Sequence, residues 1–412
     1  MSLLGAWALL LGASPALAAS APVRPDNTWV RLAPLPEKLD SPVFAMAVSP
    51  SDPALLMVGT GSGTIYRSND GGSTWTAAAH GLGRGVTTIQ YSPFKAGLIY
   101  AGTRAGGLWR STDSGATWAK LAGIPNTTVR SLGFAKSMTL AGADGGLYST
   151  HDGTTWAPYL SFSPLSLDAI AVPAVNDPPH LLAGGDASKG SEPLPLYFSS
   201  DGGTSWTSVK SLGSSTMIGA AAAGPVLPKG DNRQLVVGTN VGAFLSNDGG
   251  VTWGQIAGLP AIDFTAVAYV ANHADRFYVA SDGGATLSGG LWASSDSGQT
   301  FRSLQAPIAS VTALAISSED APTVYSASFR PLDQVTLLWS YRDTGGTPNP
   351  PSSAIPAVAG VAAPATSSAP APAAYDWRRS VTGPEAPYLA LGVLAVLVML
   401  TALGLQIRRG RE

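Results

Sequence analysis

Short apolar stretches separated by turn residues follow one another in a fixed cycle from Asn27 onward. The first stretch of each cycle alternates, as in Val43–Val48, Val86–Tyr91 and Val311–Ile316. The second runs into glycine or a small residue, as in Leu55–Thr60 and Leu98–Thr103. The third carries a bulky residue just before a turn, as in Ile65-Tyr66 and Leu108-Trp109, and a fourth begins at Thr-Trp. Short strands at even spacing with turn signals between them predict an all-β repeat fold. The cycle returns about every 45 residues, a period that marks stacked supersecondary units. Seven cycles of four strands predict a seven-bladed β-propeller.

The turn before the fourth strand is the most regular part of the cycle. It reads SNDGGSTW at Ser68–Trp75, STDSGATW at Ser111–Trp118, SSDGGTSW at Ser199–Trp206 and SNDGGVTW at Ser246–Trp253. Ser294–Phe301 has Phe in the Trp place, Thr150–Trp156 is one residue short, and Ser340–Thr347 is a decayed copy. The aspartates are therefore Asp70, Asp113, Asp152, Asp201, Asp248, Asp296 and Asp343, and the indoles Trp75, Trp118, Trp156, Trp206 and Trp253. An aspartate at the mouth of a hairpin accepts backbone N–H bonds, and the glycines after it supply positive φ. The indole covers apolar neighbours. The role expected for these residues is structural, because the loop lacks the alternating oxygen ligands and closing Glu of a calcium site.

The ends of the repeat array predict how the ring closes. After Thr347 the chain turns Pro-rich, so the seventh blade has no fourth strand of its own. Thr28–Leu32 reads as a fourth strand with no blade before it. The N-terminal strand is expected to complete blade seven, which sets the propeller at residues 27–343.

Outside the array the composition changes twice. Leu3–Leu11 followed by Ala16-Leu17-Ala18 predicts a signal peptide over residues 1–18, although no Lys or Arg precedes the apolar run. A Pro/Ala/Ser-rich linker is expected over 344–387. Tyr388–Ile407 is apolar over a length that matches the bilayer core, and predicts a transmembrane helix at 388–407. Arg408, Arg409 and Arg411 place a basic tail, 408–412, in the cytoplasm. The expected location is the cell membrane, single-pass, with the propeller on the extracytoplasmic side. The alternative at this end is a three-part signal of the kind that bacterial sorting enzymes cleave.

Charge and chemistry narrow the function classes. Net charge is −2 and charged residues make up 12%, which gives no basic bias toward nucleic acid. Zero cysteines exclude disulfides, cysteine–zinc sites and a cysteine nucleophile. The four histidines show no metal-ligand spacing, and no cofactor or metal is expected.

The repeated S-x-D-x-G-x-T-W resembles the Asp-box, or BNR, repeat over nearly all of Thr28–Thr347. That resemblance implies a propeller and leaves function open. The repeat occurs in sialidases and other glycosidases, in sortilin-type receptors and in the photosystem II stability/assembly factors. Seven blades in one exported domain look most like the assembly factors, which implies a protein-binding role. The C-terminal span and the absent lipid-bearing cysteine depart from that family and put a photosynthetic role in doubt. A sialidase resemblance would imply a Phe/Tyr-Arg-Ile-Pro segment, and no Arg-Ile-Pro occurs here. Between Thr28 and Thr347 the glutamates are Glu37, Glu192 and Glu319, which offers little for a carboxylate pair.

A binding role needs a face. The loops joining second and third strands share one face with the connections between blades. They carry Arg84 and Arg104, Arg130 near the start of blade three, and Arg330 with Asp333 in blade seven. Together these are expected to form a basic sector that binds a protein partner at or near the membrane. A glycan-binding or glycan-cleaving surface protein is the alternative.

Overall fold

The computed structural model describes residues 22–159, 167–174, 178–185, 196–209, 212–215, 217–225, 233–271, 273–284, 289–330 and 333–352. The chain divides into two units, Met1–Ala359 and Gly360–Glu412, and the second lies wholly outside the described residues. So do the segments read as signal peptide, transmembrane helix and basic tail. Among the described residues no helix is long and apolar enough to cross a membrane.

The described residues of the first unit form six four-stranded sheets and one five-stranded sheet, each an antiparallel meander in chain order for the strands it takes from its own repeat. The first strand of every sheet lies innermost. Each innermost strand packs against the next, and Val311–Ile316 of blade seven packs against Ala45–Val48 of blade one. The seven sheets are therefore the blades of a closed ring.

Both faces of each blade meet a neighbouring blade, which explains why second strands such as Leu56–Gly59 and Ile99–Thr103 are buried at every position. The core is correspondingly split into seven clusters, one per junction. Leu56, Val58 and Tyr66 of blade one meet Tyr325 and Leu338 of blade seven, and Leu140 and Leu147 of blade three meet Leu181 and Ala183 of blade four. Stability in such an array is carried by nearest-neighbour junctions.

The aspartate turns show why the repeat keeps its wording. Asp70 Oδ1 accepts from the Ser68 hydroxyl at 2.7 Å and the Thr74 N–H at 2.9 Å, while Oδ2 accepts from the Thr74 hydroxyl at 2.5 Å. The Ser68 hydroxyl oxygen in turn accepts the Gly72 N–H at 2.8 Å. The same net recurs around Asp113, Asp201, Asp248 and Asp296. The threonine hydroxyl and N–H hold the Asp113 carboxyl down at about 2. Ser114 (φ 58°) and Ser297 (φ 61°) occupy the first glycine's place in two copies. In the five full-length copies the second glycine is kept, since a Cβ at Gly72 would sit 2.9 Å from Leu32, and at Gly203 would sit 2.4 Å from Tyr159. The indoles of Trp118, Trp206 and Trp253 donate to the carbonyl of that second glycine at 3.0–3.2 Å, and Trp75 donates to Ala33 instead.

Asp152 serves a turn one residue shorter, accepting from the Thr154 and Thr155 N–H groups, both at 2.7 Å. Asp343 departs from the pattern altogether. The chain does not turn back into a fourth strand there, so no serine–threonine net forms. Its carboxylate points inward at 1% exposure and meets the Arg302 guanidinium at 2.6 Å and the Tyr278 hydroxyl at 2.8 Å. Arg276 lies 3.4 Å away.

Blade seven is completed by residues from both ends of the repeat array. Thr28–Arg31 pairs antiparallel with Val335–Arg342, placing Trp29 opposite Tyr341. Outside it lies Asn349–Ser352, parallel to the N-terminal strand. The composition of this last segment reads as linker, yet the described fold continues past Asp343 through Ser352. Pro350 and Pro351 cannot donate to a ladder, which suits an outermost strand.

Candidate binding face

Two sets of loops share the face opposite the aspartate turns. On the turn face, the Gly71 N–H donates to Ala54 and the Ser114 N–H to Gly97, both in loops joining first and second strands. On the other face, blade connections bond to the loops joining second and third strands, as in Asp144 N–H to the Thr128 carbonyl.

Arg84 and Arg104 sit on this second face. The Arg84 N–H donates to the Arg104 carbonyl at 2.9 Å, and the Arg104 N–H to the Gly85 carbonyl at 2.8 Å. The two loops are thus pinned by a pair of backbone bonds. Close approach enforces glycine at position 83, where a Cβ would lie 2.8 Å from the Arg104 carbonyl oxygen. Both arginines are exposed, and neither guanidinium has an ion-pair partner among the described residues. The backbone is fixed, and both charges lack a counter-ion among the described residues.

Arg130 and Arg330 differ. Arg130 occupies a bulge at the start of the first strand of blade three and holds Asp144 through Nη2 at 3.0 Å and Asp168 through Nε at 3.0 Å. Arg330 grips Asp333 with two of its three nitrogens, Nε at 2.7 Å and Nη2 at 2.5 Å. That grip holds the Asp333 carboxyl below its usual range. These pairings leave Arg130 and Arg330 little positive field for a partner. Of the arginines expected from sequence to form one basic sector, Arg130 and Arg330 are therefore paired with acids, and Arg84 and Arg104 are the two without an ion pair among the described residues.

Sequence reasoning did not single out Asp263, in the connection between blades five and six. Burial, and then the charge of Asp282, push its carboxyl up to about 6. Its Oδ1 is buried without a hydrogen-bond partner among the described residues. The one signal available in the sequence is its place between Ile262 and Phe264, an acid flanked by core residues. A carboxyl with a raised folded pKa contributes stability that is complete below about pH 4 and is lost as pH rises through about 6. Asp263→Asn should therefore stabilise the fold by about 1 kcal/mol at pH 8, allowing for screening of a half-exposed group, and be neutral at pH 4. Thermal melts at the two pH values check this.

Two further carboxylates on this face accept hydrogen bonds from nearby loops. Glu37 accepts from the Ser62 hydroxyl at 3.1 Å, and Asp282 accepts the Gly284 N–H at 2.9 Å. Glu192 lies outside the described residues.

No family model matches the chain, and no curated protein matches it. Solved structures do match it in shape. YCF48 bound to D1 peptide superposes at a TM-score of 0.53 with 17% identity, over 78% of this chain and 99% of that one. YCF48 from Cyanidioschyzon merolae gives 0.51 at 15% identity, over 76% and 99%. The WD40 repeats of RRP9 give 0.58 at 12% identity, over 78% and 99%. At these identities the likeness shows the propeller fold and nothing narrower.

Proposed function

We propose that this chain is an exported propeller, tethered to the cell membrane by residues 388–407, that binds a protein partner on the face carrying Arg84 and Arg104. The partner is read as part of a membrane complex whose assembly or stability the propeller assists. The observation that carries this reading is the pair of exposed guanidinium groups, without ion pairs among the described residues, on loops locked together by two backbone bonds. Preorganised arginines of this kind suit carboxylate groups on a partner, such as acidic side chains or a chain terminus. The similar fold of YCF48, described as bound to a D1 peptide, is consistent with a peptide-binding role.

The test is capture from native membranes with the tagged full chain in mild detergent. Arg84→Glu combined with Arg104→Glu should reduce co-purifying subunits about tenfold or more, because like charges would then face the partner's acids. Replacing Arg330 and Asp333 together with Ala should have a small effect, since that pair is already neutral. Undiminished capture by the Arg84→Glu/Arg104→Glu variant with an unchanged melting temperature would overturn the proposal. Glycan cleavage is the second reading, and the observation favouring it is the raised carboxyl of Asp263 beside Asp282, since such hydrolysis needs one protonated and one ionised carboxyl.

A further inference from the structure

The ring's central channel widens on the aspartate-turn face into a cavity of about 500 Å³. This lies within the range of about 300–1,000 Å³ typical of small-molecule sites. The widening has a simple cause. The innermost strand of blade five reads Ile218-Gly-Ala-Ala-Ala-Ala223, and its alanines stay partly exposed because they are too small to fill the axis. Phe134, Ile170, Val172, Val267 and Tyr269 complete the wall. The Tyr269 hydroxyl donates to Gln234 at 2.9 Å, so its polar end is already satisfied and its ring serves as apolar wall. Phe94, half exposed, forms part of the lip.

Among the described residues that line this apolar space, one is a cation. Arg233 enters from the segment just before the second strand of blade five, Leu235–Thr239, and spans to blade four. It donates to the Gly224 carbonyl, to the Val172 carbonyl at 2.6 Å and to the Ala223 carbonyl at 3.3 Å. These carbonyls fix the guanidinium plane but do not neutralise it, and no carboxylate pairs with it among the described residues. Burial lowers its pKa to about 10, so it remains charged at neutral pH. Three of its five N–H donors are used, which leaves two for a ligand.

We propose that this cavity binds a small apolar monocarboxylate of the medium-chain fatty-acid class, its carboxylate on Arg233 and its tail against blades three to six. A ligand carboxylate supplies the counter-charge that this partly buried guanidinium lacks among the described residues. An aliphatic tail removes the alanine wall from water. The site lies on the opposite face from Arg84 and Arg104, so it stands or falls independently of the protein-binding proposal.

Equilibrium dialysis of radiolabelled octanoate against the full chain in lipid nanodiscs, with empty discs subtracted, tests this. The expected result is one saturable site per chain, with octan-1-ol competing at least about tenfold more weakly because it lacks the charge. Arg233→Gln should weaken octanoate binding by a similar factor. Should that variant unfold, Ala222→Phe fills the cavity while leaving the arginine and its carbonyls in place, and it should abolish binding. Absence of saturable binding, equal competition by octanol, or undiminished binding to Ala222→Phe would each overturn the proposal.

Discussion

Deleting Pro25–Ala33 is expected to prevent the ring from closing, so that the chain no longer melts as one cooperative unit. This segment contributes Trp29, Val30 and Leu32, at 0%, 2% and 2% exposure. Trp29 stacks on Tyr341 at 5.0 Å and donates its indole N–H to the Leu304 carbonyl at 2.7 Å, joining blades six and seven. Leu32 lies in the cluster between blades seven and one. Full burial of a large apolar side chain is worth about 1.5–3 kcal/mol, so three of them approach the whole stability of an ordinary domain. Arg24 adds a second fastening, donating to the Ser340 hydroxyl oxygen and the Gly71 carbonyl while lying 5.3 Å over the Tyr325 ring. The single change Trp29→Ala is the graded form of the experiment. It should cost about 3–5 kcal/mol and lower the melting temperature by roughly 5–10 °C. A loss under about 1 kcal/mol would show that blade seven is closed without this strand.

Asp343→Ala should cost a similar amount by a different route. Asp343 faces Arg302 and Arg276, whose side chains are 29% and 15% exposed, so its removal strands two cations in a poorly hydrated site. Arg276 Nε and Arg302 Nη1 already lack hydrogen-bond partners among the described residues, which leaves little slack. Breaking a buried ion pair from one side typically costs about 3–5 kcal/mol. Burial works to raise the Asp343 carboxyl, but the Gly345 N–H, the Tyr278 hydroxyl and Arg302 outweigh it and hold the pKa below the usual range. The stabilising contribution is therefore complete above the ordinary carboxylate pKa and disappears as pH falls through the lower folded value. Asp343→Asn keeps the shape and loses the charge. Its urea midpoint should fall well below that of the unaltered chain at pH 7, and the two should converge in acid. A constant difference across pH would mean that shape, and not charge, accounts for the cluster.

These two sites mark the boundary of what the sequence makes legible. The blade count follows from residues close together in the chain, since each turn net joins an aspartate to a serine or threonine on either side of it within seven positions. Closure by Thr28–Arg31 is legible for a related reason, as an unmatched strand at one end faces a missing strand at the other. Asp343 is harder to read because its partners, Tyr278, Arg276 and Arg302, belong to blade six. The same holds for Arg130, whose counter-ions Asp144 and Asp168 lie in a different loop and a different blade. Charge counted along the chain gives Arg84, Arg104, Arg130 and Arg330 equal weight, whereas space pairs two of them with acids. Asn349–Ser352 reads as linker because prolines signal unpaired chain, and only an outermost position reconciles them with a strand. Arg233 escapes notice in sequence because nothing local shows that its guanidinium meets the Val172 carbonyl of the neighbouring blade.

The side-by-side course of Thr28–Arg31 and Asn349–Ser352 has a mechanical consequence. Tension on the chain beyond Ser352 acts first on the outermost strand, whose two prolines leave it few bonds, among them the Asn349 N–H to the Asn27 carbonyl at 2.7 Å. That strand can peel away one contact at a time. The strand beneath stays zipped to Val335–Arg342 and keeps Trp29 in place. A pulling experiment should therefore show a small, low-force step before the ring ruptures, with the outer strand acting as a fuse that spares the blade it covers.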